Sequence, residues 1–139
     1  MQVRKALGER FGREVFFYSI TLMPEEDSPD VLKQFADRYK VDAMGPGWKF
    51  LTGRPRDIEL LRRRLGFAYD DRRLDADRTN HIRLVLMGNE PYGWWGTVPG
   101  ADMTANQITK LINWLEPGSY GMQGPPSSWG PQGPPKKAN

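Results

Sequence analysis

The stretch from Glu14 to Leu22 (EVFFYSITL) is the feature that most constrains the fold. It is rich in β-branched and aromatic residues, with apolar side chains at both odd and even positions. That pattern predicts a strand buried on both faces, as in a parallel or mixed sheet covered by helices. The next segment, PEEDSPDVLKQFADRYK, fits this picture. Ser28 is a good N-cap, Pro29 suits the first helical position, and Asp30 favours the positive end of a helix. Val31, Leu32, Phe35, Ala36 and Tyr39 share one face, so a helix is predicted over residues 29–40.

The same reasoning extends along the chain. Val3, Leu7 and Phe11 form a helical stripe in residues 1–12, with Gly12 as the expected C-cap. A turn at MGPGW leads into a short strand near residues 48–52. Gly53 and Pro55 open a second helix carrying Ile58, Leu61 and Leu65, which Gly66 closes. Residues 67–80 are polar and are expected to form a loop. Strands are expected at 82–87 and 94–98, joined through GNEPYG as a hairpin. Thr104 and Gln107 match a capping box for a helix over 104–115, whose buried face is Ile108, Leu111, Ile112 and Leu115.

The order is α-β-α-β-α-β-β-α, which is the C-terminal portion of a thioredoxin-like α/β fold with a mixed sheet and flanking helices. From Pro117 the character changes. Six of the chain's 12 prolines and five of its 15 glycines fall in the last 23 residues. The expected division is a domain over 1–117 and a disordered, Pro/Gly-rich tail over 118–139.

Of the 139 residues none is cysteine, which excludes disulfides, zinc ribbons and thiol nucleophiles from these residues. The net charge is +3, with acidic and basic residues interleaved, so no nucleic-acid footprint is expected. No apolar run suits a signal peptide or a membrane span. Ser-His-Asp, H-E-x-x-H, P-loop and G-x-G-x-x-G patterns are missing, and the chain is not expected to be an enzyme.

Three phrases carry a resemblance: VFFYSITLMPEEDSPDVLKQFADRYK, GPGWKFLTGRPRDIELLRRRLGF and NHIRLVLMGNE. Over about residues 3 to 116 the chain resembles the SCO/SenC family, thioredoxin-like copper chaperones of cytochrome c oxidase assembly. The resemblance implies a copper site made by two cysteines of a C-x-x-x-C motif and one distant histidine. The histidine falls at His81. The cysteines would precede the helix that opens here at Met1. The chain is thus expected to be a family protein missing its N-terminal strand and cysteine motif, and unable to bind copper by itself. Thiolates favour Cu(I) and imidazole accepts either oxidation state, so a lone His81 leaves no chelate. Where the family usually has Asp-Pro after the strand, this chain has Met23-Pro24, which bears on loop geometry more than on metal chemistry.

The resemblance further implies a cytochrome c oxidase subunit or other copper-site protein as partner, and a periplasmic or inner-membrane-facing location. Other features read more plainly. The six methionines lack Met-x-Met spacing and are core or loop filler. Arg62, Arg63 and Arg64 are expected on the solvated side of their helix. Trp94 and Trp95 should point to opposite faces of a strand. Pro131, Pro134 and Lys136 fit P-x-x-P-x-K only formally. The alternative to a copper chaperone is a cysteine-free thioredoxin-like scaffold that uses its proline-rich tail for partners.

Overall fold

A computed structural model describes residues 2–41, 45–78, 81–82, 84–100 and 103–116. The expected tail at 118–139 lies outside them. The chain divides into two compact units, one of Leu7–Ile82, and one whose described residues are 2–6 and those from 84 onward.

The chain opens with helix α1, Gln2–Leu7, and a 3-10 turn, Gly8–Arg10. This is shorter than the stripe over 1–12 predicts. Gly8 adopts φ +57, a left-handed conformation that ends the α-helix before Gly12. Leu7 and Phe11 are still buried, as the stripe requires.

In the unit Leu7–Ile82, strand β1 (Phe17–Ile20) pairs in parallel with β2 (Trp48–Leu51), in the register Phe17↔Trp48 and Ser19↔Phe50. The ladder is shorter than the 14–22 stretch because β2 offers only four residues to pair with. The crossover is α2, Pro29–Arg38, capped by the Ser28 side chain and opened by Pro29 as expected. Phe35 on α2 meets Phe50 at a ring distance of 5.5 Å, and Phe50 stacks on Trp48 at 5.4 Å. The other face of the pair shows Phe16, Tyr18, Ile20 and Leu51 to solvent. The expectation of burial on both faces is therefore corrected. Residue type predicted a strand, but α2 covers only the Phe17–Ser19 side.

Helix α3, Pro55–Arg64, follows β2. Ile58 is buried, but so is Arg62, which corrects its placement on the solvated side. The expected loop after Gly66 holds a further helix, α4, Arg72–Ala76, whose N-cap Asp71 accepts from the Arg73 N–H at 2.7 Å.

In the other unit, β3 (Leu84–Asn89) and β4 (Trp94–Pro99) form an antiparallel hairpin with Asn89↔Trp94 and Val85↔Val98 paired. The turn is a 3-10 turn closed by Gly93 at φ +64. Trp94 is half-buried and Trp95 exposed, as alternation requires. A Cβ on Gly88 would lie 2.3 Å from the Trp95 ring, so the indole rests on a residue that has to be glycine. Helix α5, Ala105–Trp114, carries the full Thr104–Gln107 capping box. Leu111, Trp114 and Leu115 close on Met87 and Val98 around a void of only about 10 Å³. The Asn89 side-chain amide donates to the Leu115 carbonyl at 2.8 Å.

The α/β class is as expected, with parallel and antiparallel pairing both present. The four strands, however, form two separate two-stranded ladders among the described residues. Each ladder is made by a local connection, α2 between β1 and β2 and a tight turn between β3 and β4.

Candidate functional site

His81 lies outside the helices and strands, ahead of β3 in the chain, and is exposed. No group of three or more His, Cys, Asp or Glu side chains capable of holding a metal occurs among the described residues. A single exposed imidazole without thiolates offers copper one nitrogen and no chelate.

The electrostatic centre of the Leu7–Ile82 unit lies elsewhere. Arg62 reaches from α3 to Asp75 on α4 in a bidentate pair at 2.5 and 2.6 Å, with both side chains almost fully buried. Such fork-to-fork pairs are among the stronger charge-assisted hydrogen bonds. Arg62 also donates to the Phe67 carbonyl at 3.0 Å, and the Tyr69 N–H donates to Asp75 at 2.9 Å. Glu59 gathers Arg62, Arg63 and Arg78 at 3.0, 2.5 and 2.9 Å.

The hydrogen bonds from Arg62 hold the Asp75 carboxyl far below the usual carboxylate range. The same pair holds the Arg62 guanidinium above its ordinary value, against the opposing effect of burial. Burial pushes Glu59 up, but its hydrogen bonds from the three arginines outweigh it and hold the carboxyl below its ordinary value. The sequence carries a signal for this lock. Ile58 and Leu65 stand four residues before and three after Arg62, so helical spacing puts Arg62 on the apolar face. Its partner on α4 lay within the presumed loop.

Beside this lock runs a groove of about 590 Å³. It is bounded by the segment that follows β1, Leu22–Glu26, by the first turns of α3 and by Arg78. Because β1 and β2 are parallel, both segments leave the same end of the ladder. The Thr21 hydroxyl fixes the first segment by donating to Asp27 and accepting from the Met23 N–H at 2.9 Å. The sequence reading did not single out this groove, and the structure does not line it with His81.

No curated protein and no solved structure matches the chain. A family model described as SCO1/SenC matches residues 1–116. With most of its length matched and its strand–helix order as that fold requires, the chain belongs to the SCO1/SenC family, whose fold is thioredoxin-like.

Proposed function

We propose that the protein serves copper handling for cytochrome c oxidase assembly, in the manner of SCO-type chaperones, with His81 as its nitrogen ligand. The family match over residues 1–116 carries this reading. The exposure of His81 supports it, since a ligand that receives or hands over an ion has to be reachable. On this reading residues 1–117 are the thioredoxin-like portion, and residues 118–139 are a tail apart from it. Its partner is an oxidase subunit or another copper-site protein, met in the periplasm or at the outer side of the inner membrane. No helix among the described residues is long and apolar enough to cross a membrane.

The 139 residues alone lack the soft donors for Cu(I), so copper retention depends on thiolates joining His81. A copper titration in both oxidation states tests this. The chain as given loses stoichiometric Cu(I) to a modest chelator. A protein carrying C-x-x-x-C ahead of Gln2 holds one copper, and His81→Ala weakens Cu(II) more than Cu(I), because two thiolates suffice for linear Cu(I). Equal Cu(II) affinity with and without His81 removes it from the site. Tight binding by the 139-residue chain overturns the dependence on thiolates.

A second reading, a cysteine-free binding module, draws on one observation. Phe16, Tyr18 and Ile20 stand exposed side by side on one sheet face, as contact surfaces do. Failure of the C-x-x-x-C protein to bind copper would favour it.

A further inference from the structure

We infer that the groove at the carboxyl ends of β1 and β2 binds a zwitterionic ligand of about dipeptide size with an apolar body. This goes beyond copper handling and does not depend on it.

Position is the first argument. In parallel α/β sheets, ligands settle outside the carboxyl ends of the strands, where the connecting segments diverge. The groove occupies that place, between the segment after β1 and the start of α3. Its volume of about 590 Å³ falls within the range of small-ligand sites. Its walls are fixed in advance, by Thr21 and Asp27 on one side and by the Arg62–Asp75 pair behind α3 on the other. Preorganised walls reduce the ordering cost of binding.

The lining then selects the ligand. Leu22, Met23, Pro24 and Ile58 supply an apolar surface. Glu25 and Glu26 are exposed, and among the described residues their carboxylates have no hydrogen bond or ion pair. The Arg56 guanidinium is likewise exposed and unpartnered. Arg78 gives Nη2 to Glu59 at 2.9 Å, while its Nη1 is buried and finds no acceptor among the described residues. A buried donor without an acceptor is costly, so Arg78, which lines the groove, gains by turning its Nη1 out towards a ligand carboxylate. Glu25 and Glu26 oppose a ligand that is only anionic. Arg56 and Arg78 oppose one that is only cationic. An uncharged apolar molecule leaves Arg78 as it is. A molecule with a carboxylate, an ammonium and an apolar body meets all three demands.

The experiment is a titration of the full chain with the dipeptide leucyl-leucine, followed by amide proton–nitrogen NMR. The N-acetyl and C-amide forms of the same dipeptide serve as controls. Saturable shifts at Met23, Glu25, Glu26, Arg56 and Ile58 are expected, with blockage of either charged end weakening binding about tenfold or more. Arg56→Gln and the double variant Glu25→Gln/Glu26→Gln should each weaken the free dipeptide and leave the circular dichroism spectrum unchanged, because these side chains hold nothing else. Equal binding of the three dipeptide forms would overturn the proposal. So would tighter binding of inorganic phosphate at these amides, shifts confined to residues outside the groove, or no shift up to about 10 mM dipeptide.

Discussion

Between Pro55 and Arg78 the chain is held by charge. Arg62 and Asp75 lie buried against one another, Glu59 draws in three arginines, and Asp75 also accepts from the Tyr69 N–H. Between Leu84 and Glu116 the means are apolar and local. Val98 and Leu115 are buried, a capping box opens α5, and the Asn89 amide ties β3 to the helix end. The difference is one of dependence. A charged lock depends on every partner being present, since a buried ion left alone is far worse than no ion. An apolar contact reinforced by caps degrades in smaller steps.

The sharpest way to break the comparison is Arg62→Ala. It leaves the buried Asp75 with only the half-exposed Arg63, at 3.2 Å, and the Tyr69 N–H, so the loss should approach the lower end of the about 3–5 kcal/mol that breaking a buried pair costs. Urea unfolding should show the loss. Hydrogen exchange should locate it, with protection failing first at the Tyr69 and Phe67 amides, which bond Asp75 and the Arg62 carbonyl. A loss below about 1 kcal/mol would show that the lock is ornamental.

Acid provides the second test. A carboxyl whose folded pKa is depressed binds fewer protons folded than unfolded, so its contribution is present above the unfolded value and is lost as pH falls towards the folded one. Asp75 starts from an ordinary value of 3.8 and lies well below it in the fold. Stability should therefore decline as pH drops below about 4–5, and Asp75→Asn should flatten that decline. The variant is less stable at neutral pH, because Asn cannot answer Arg62 as a carboxylate does. A wild-type melting temperature independent of pH between 5 and 2, on a rough grid of that span, would contradict the assignment.

In the hairpin unit the corresponding cut is smaller. Thr104→Ala removes the side chain that accepts from the Gln107 N–H, and cap removal costs about 1 kcal/mol. The effect should appear as fraying of the first turn of α5, read from the amides of Gln107 and Ile108. It should be insensitive to pH near 4, unlike the lock.

These regions also differ in how legibly the sequence wrote them. The hairpin and α5 were readable because their signals are local: Asn-Glu-Pro-Tyr-Gly for the turn, Thr104 and Gln107 for the cap, and alternation at Trp94 and Trp95. Helix α2 was legible for the same reason, through Ser28 and Pro29. What escaped was non-local. Arg62 reads as one of three surface arginines; the spacing of Ile58 and Leu65 places it on the apolar face, but the partner that lets a charge stay buried there is 13 residues away in a segment whose composition reads as loop. The exposed face of β1 escaped because residue type reports strand preference and not which neighbour arrives. The groove escaped because no single motif encodes it. It arises from two segments that parallel pairing brings to the same end of a ladder.

The smallest expected effect sharpens the comparison by giving α3 what α5 already has. Arg54 occupies the N-cap of α3 but makes no side-chain bond to the helix backbone N–H groups, and as a cation it sits at the positive end of the helix dipole. Its one compensation is an ion pair with Asp57 at 2.7 Å, where Arg54 is 85% exposed and solvent weakens the attraction. Arg54→Ser substitutes a hydroxyl that can accept from the first-turn N–H groups, as Ser28 does for α2. The ion pair it removes is the less valuable interaction, so the melting temperature should rise by about one to three degrees. The gain should persist at high salt, since a cap does not rest on screened charge. If the variant melts lower and salt abolishes the difference, the Arg54–Asp57 pair contributes more to α3 than its exposure allows, and charge governs the edge of this region as well as its interior.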